Sequence, residues 1–217
     1  MEDQLEEFEQ TIYFSNKEIF TKIWTNPRLV FRYLHSQEYD KFLTPLLILA
    51  GIAKALDRAS SKGSGDNMSL IGVLLLSIIA GGLLGSISYY IYAALLSWTG
   101  KWLKGKSDFT GLLRVLAHGS IPVIVGLVFL IPQIALFGNE VFKTNGDLSG
   151  EGIFFNVFFN ITVGAQIILS IWTIVLNIIG ISEVQEFGIG KAIVNLFLPL
   201  FVIVIPILLI ILAFKGF

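Results

Sequence analysis

The 217-residue sequence has no cysteine and only two histidines, His35 and His118. That excludes disulfides, thiolate clusters and a histidine-rich zinc site, and no cofactor or metal is expected. Charge is scarce: Asp, Glu, Lys and Arg make up 14% of the residues, against about 25% in an average soluble chain. No GxxxxGK[ST] loop occurs, so nucleotide hydrolysis by that route is excluded, and GSGDN and GIGK read as turns. Acids are missing from every long apolar run, which disfavours proton- or sodium-coupled transport, since such carriers commonly use an intramembrane carboxylate. The basic residues are few, mixed with acids and set beside apolar runs, so nucleic acid is not an expected partner.

What the chain has instead is apolar length: 54% of it is hydrophobic. The net charge of −1 hides an acidic start, with eight of sixteen acids in residues 1–40 and five in the first nine. This start lacks the basic residues and apolar core of a signal peptide. Residues 1–15 are expected to be a flexible acidic tail until a partner orders them. Residues 16–38 carry two helical stripes. Ile19, Phe20, Ile23 and Trp24 form the first, and Asn26-Pro27 opens a second bearing Leu29, Val30, Phe31, Tyr33 and Leu34. With Lys17, Lys22, Arg28 and Arg32 interleaved, the pair is expected to lie on the membrane surface, each cation contributing about 1 kcal/mol against anionic lipid.

The fold class expected is all-α: a polytopic five-helix transmembrane bundle over residues 39–217 with an N-terminal amphipathic interfacial segment. The spans are placed at about 39–59, 68–98, 112–137, 153–179 and 192–214. The first is short and needs Lys54 and Arg58 to reach the headgroups. The second, Met68 to Trp98, would measure about 46 Å as a helix against a hydrocarbon core of about 30 Å, so it must tilt, bend or project. An N-in, C-out orientation puts ten of the fifteen Lys and Arg residues inside and five outside, as the positive-inside bias requires.

Several residues stand out as candidate contacts. Arg114 and His118 share a face near the inner end of the third span, and Glu183 and Glu186 lie on the same side. Pairing of Arg114 with Glu183 or Glu186 is expected; lipid phosphate or a partner carboxylate is the alternative. Catalysis by His118 is disfavoured, because spacing puts no serine, cysteine or carboxylate beside it. The fourth span carries Asn156, Asn160, Thr162, Gln166, Ser170, Thr173 and Asn177 within an arc of about 160°. Such a stripe serves interhelical bonding, a hydrated path or a docking seam. Ser77, Gly81 and Gly85 form a small-residue ridge suited to internal packing, and Pro122, Pro132, Pro199 and Pro206 mark bends.

Three segments, in this order, carry a likeness: IWTNPRLVFRYL, a third span opening LLRVLAHGSIPVIV, and GISEVQEFGIGKAI before the last span. Over roughly Ile19 to Phe214 the chain resembles the Yip1 domain family, with Trp24, Asn26, Pro27 and Arg28 in its opening segment. The resemblance implies five spans and a cytoplasmic N-terminus. Eukaryotic members are linked to vesicle trafficking and small GTPases. This sequence lacks the long N-terminal region and acidic-proline motif of those members and is similar to compact bacterial ones, some of which are associated with ABC-type exporters. The expectation is a non-enzymatic scaffold or assembly factor in the bacterial inner membrane, with membrane lipids and a transporter or secretion component as partners, or a homo-oligomer. A small channel or permease subunit using the polar face of the fourth helix is the alternative, and a membrane-shaping or trafficking factor a further one.

Overall fold

The structure, a computed structural model, describes residues 13–148 and 153–215. Most of the expected acidic tail lies outside the described residues. Helix α1 (Asn16–Lys22) starts in a capping box: the Ser15 hydroxyl accepts from the Glu18 N–H at 3.3 Å, and Glu18 accepts from the Ser15 N–H at 3.0 Å. Helix α2 (Pro27–Ser36) starts at proline, whose missing N–H costs nothing there, while the Asn26 side chain makes no capping bond.

Most of the apolar side of this pair packs on the protein itself. Ile19, Ile23, Val30, Phe31 and Leu34 are buried in the main core, with α2 laid across the end of the bundle. The two stripes expected at the membrane surface thus find their cover on the end of the bundle. Phe14 is buried too. Its ring packs edge-on against Tyr33, whose hydroxyl donates to the Phe14 carbonyl at 3.3 Å.

Helix α3 (Leu43–Ser61) follows. A rod from Leu70 to Trp102 comes next, built from α4 (Leu70–Ala80), a π-helical turn (Gly81–Gly85) and α5 (Ser86–Trp102). The π turn sits on the glycine ridge, where α3 crosses. A Cβ on Gly51 would lie 2.3 Å from the Gly81 carbonyl oxygen, and one on Gly85 would lie 2.6 Å from the Gly51 Cα. The ridge therefore packs internally, backbone against backbone.

The expected third span is two helices, α6 (Phe109–Gly119) and α7 (Ile121–Phe137). They break at Ser120, with Pro122 in the first turn of α7 and Pro132 inside it. Helix α6 starts before the expected residue 112, because the Asp108 carboxylate caps the Gly111 N–H at 2.8 Å. Helices α8 (Ile153–Val184) and α9 (Ile189–Lys215) complete the bundle, with Pro199 and Pro206 inside α9.

Helix α6 is central. Every residue from Gly111 to Gly119 is buried, among α2, α3, α5 and α8. A second core at the far end joins Leu56, Ala59, Val73, Phe137, Val141 and Phe142. There the Asn139 amide donates to the Gly65 and Met68 carbonyls at 3.0 and 3.1 Å, fastening the two far loops together.

Four helical stretches are long and apolar enough to cross a membrane: Leu70–Trp102, Phe109–Phe142, Ile153–Val184 and Ile189–Pro206. Helix α3, at the first expected span, carries Lys54, Asp57 and Arg58 and does not meet that standard. Ile71, Leu83, Ile91, Ile161 and Ile168 point outward with most of their surface uncovered, a pattern that suits lipid and not water. The chain is an all-helical, integral multi-pass membrane protein, and no strand occurs among the described residues.

Candidate interaction site

Charges gather at the end of the bundle capped by α1 and α2. Arg114 reaches out of α6 to Asp40 in the α2–α3 connection, with Nε to Oδ1 at 2.7 Å and a second bond to Oδ2 at 3.3 Å. The Arg114 side chain is 7% exposed, that of Asp40 55%. The expected pairing of Arg114 with Glu183 or Glu186 is thus corrected. Glu183 is held by α2 instead: Arg32 meets it at 2.7 Å and Arg28, one turn earlier, at 3.7 Å. Glu186 pairs with Lys106 of the α5–α6 connection. The rotation of α6 decides the outcome, since it turns Arg114 toward the start of α3 and away from the end of α8.

Between the two glutamates lies Gln185, which the sequence reading did not single out. It is almost wholly buried, and its amide oxygen accepts from the Ser107 N–H at 3.1 Å while its amide nitrogen donates to Asn195 Oδ1 at 3.3 Å. Asn195 donates in turn to the Thr99 hydroxyl at 2.9 Å and the Leu96 carbonyl at 3.1 Å. Gly100 and Gly105 make room for this side chain, since a Cβ on either would come within 2.2 Å of its amide. The connection from α8 to α9 therefore ties together α2, α5, the α5–α6 loop and α9. Its only sequence signal was a glutamine inside a short connection.

His118 is fully buried. Its Nδ1 lies 3.0 Å from the Arg114 carbonyl, which can only accept, so the proton sits on Nδ1; Nε2 is a buried acceptor without a partner. Trp24 is half-buried against the main core, Pro27 is half-buried and Asn26 is exposed. Pocket-forming space at this end is a notch of about 270 Å³ between Arg32, His35, Ser36, Glu183 and Glu186. Among the described residues no group of three His, Asp or Glu side chains is placed to hold a metal.

The polar stripe of α8 divides. Thr162 accepts from the Gln133 amide at 2.7 Å, and Thr173 accepts from the Val123 N–H at 3.1 Å, both joining α8 to α7. Asn177 is buried beside Gly119, with its amide donating to the Thr173 carbonyl at 2.8 Å. Gln166 is half-buried. Asn156, Asn160 and Ser170, by contrast, are exposed, on the arc that carries Ile153, Val157, Ile161 and Ile171. Asn160 donates to the Asn156 carbonyl at 2.7 Å and Ser170 to the Gln166 carbonyl at 2.9 Å, so among the described residues each finds its partner on its own helix.

No curated protein and no solved structure shows significant similarity to this chain. The family model of the Yip1 domain matches residues 21–211, from within α1 to near the end of α9. With α2, the helices from α3 to α8 and most of α9 inside that match, the chain belongs to the Yip1 domain family.

Proposed function

We propose that this protein is a non-enzymatic scaffold or assembly factor that offers the outward face of α8 to a larger integral membrane partner. The observation that carries the reading is the placement of Asn156 and Asn160, exposed amid Ile153, Val157 and Ile161. Bonding to its own helix leaves an asparagine amide with unused donors and acceptors, and in hydrocarbon these favour a neighbouring helix over lipid. A transporter or secretion component, such as the ABC-type exporters that the family resemblance implies, is the class of partner proposed. The topology proposed is N-in with five spans, α3 being the first and joining the four longer ones, its Lys54 and Arg58 reaching toward the headgroups.

The test is purification of the tagged protein in mild detergent at native expression, with mass spectrometry of its companions, for the wild type and for Asn156→Leu/Asn160→Leu. Stoichiometric recovery of one membrane protein by the wild type and its loss in the variant, with insertion unchanged, would support the reading. Recovery of the chain alone, or equal recovery by both, would overturn it. The channel reading has less support, because Asn160 and Ser170 sit on the outer arc of α8, away from the Gln133–Thr162 contact inside the bundle.

A further inference from the structure

A groove lies on another part of the molecule, between α3 and the α4–α5 rod, with a volume of about 370 Å³. Its floor is the crossing of Gly51 with Gly81 and Gly85, where the backbones touch and no side chain can fill the space. One wall is basic: Lys54, Arg58 and Lys62 follow one another at every fourth residue, a row about 12 Å long. The opposite wall is apolar, with Leu76, Ala80 and Leu84 at the same interval. None of the three cations is within ion-pair distance of a carboxylate among the described residues, Asp57 included. Lys54 leans across to the Tyr89 ring at 5.8 Å, leaving Arg58 and Lys62 at the end of α3.

Like charges one turn apart repel, so this row gains from a bound anion. We propose that the groove binds one anionic phospholipid, its phosphate between Arg58 and Lys62 and an acyl chain along Leu76, Ala80 and Leu84. The apolar wall is wasted on inorganic phosphate. A helix of an acidic protein, about 10 Å across with its side chains, is too wide for a groove of this volume. A zwitterionic headgroup brings a positive charge with its phosphate, so the basic row favours a lipid of net negative charge. The inference stands apart from the α8 docking face and shares no residue with it.

The experiment is native mass spectrometry of the full chain in detergent, titrated with phosphatidylglycerol or phosphatidylcholine. The wild type is expected to hold one phosphatidylglycerol in preference to phosphatidylcholine. Arg58→Gln/Lys62→Gln should weaken that binding at least about tenfold, and Lys17→Gln at the other end of the bundle should leave it unchanged. Ala80→Phe, which fills the groove and keeps the charges, should weaken both lipids, and it decides the matter if the double variant fails to fold. Equal retention of the two lipids, indifference to Ala80→Phe, or displacement of phosphatidylglycerol by millimolar inorganic phosphate would overturn the proposal.

Discussion

Arg114, buried on the central helix α6 near the end capped by α2, is neutralised by Asp40, a residue of the connection before α3 whose own side chain is half in the open. The pair fixes the α2–α3 connection to the central helix. It also allows a buried cation without a buried anion, since the carboxylate keeps part of its hydration.

Removing the carboxylate should therefore cost less than breaking a fully buried pair and more than breaking an exposed one. Asp40→Asn is expected to destabilise the protein by about 2 kcal/mol, between about 1 for exposed pairs and 3–5 for buried ones. Thermal unfolding in detergent measures it, with Arg114→Met/Asp40→Asn recovering part of the loss. A Tm unchanged in Asp40→Asn would mean that Arg114 is satisfied elsewhere.

Gln185 is expected to matter more than the glutamates beside it. Gln185→Ala leaves the Ser107 N–H and the Asn195 amide oxygen unpaired inside the protein, at about 1–3 kcal/mol. Glu186→Gln, which loses an exposed pair with Lys106, should fall below about 1 kcal/mol. Equal losses in the two variants would show that the network adds nothing.

The α3 crossing allows a sharp comparison between glycines. Gly51→Ala sets a methyl 2.3 Å from a backbone oxygen that cannot swing aside, so overpacking of about 1–3 kcal/mol is expected. Gly164→Ala in α8 meets nothing within 4 Å and should gain helix propensity, up to about 1 kcal/mol. The same unfolding measurement ranks the two.

The capping box of α1 has a defined acid limit. The Ser15 N–H, then Lys22 and the Ser15 hydroxyl, hold the Glu18 carboxyl down at about 2 from an ordinary 4.5. A depressed carboxyl contributes stability above its unfolded value and loses it as pH falls toward the folded one. Amide exchange in α1, corrected for intrinsic rates, should thus be flat from neutral pH to about 5 and rise between 4.5 and about 2. Glu18→Gln should remove that acid dependence.

The acidic tail can be tested only if the cut respects the core. Phe14 is buried against Tyr33, so deletion through residue 14 would remove a packed ring along with the tail. Deletion of residues 1–12 is expected to leave Tm unchanged while weakening recovery of a membrane partner, which co-purification measures.

Much of the fold was legible in the sequence because it rests on local properties. The long apolar runs, the turns rich in glycine and charge, the Asn26-Pro27 start and the small-residue ridge each name a helix, an end or a close contact with few alternatives. The break at Ser120 was less legible, since Pro122 announces a bend without saying that α6 ends before it. The apolar stripe of α1 and α2 announced a face that needs a cover, expected at the membrane surface; only the packed structure showed the bundle end against it. Spacing placed Arg114 near Glu183 and Glu186, and the rotation of α6 gave it Asp40 instead. Periodicity gathered Asn160 and Thr162 into one stripe, and the position of α7 split it, covering Thr162 and leaving Asn160 outside. Hydropathy and spacing are properties of a single helix, whereas pairing, burial and outward placement depend on how helices turn about one another, and that is decided by contacts distant in the chain.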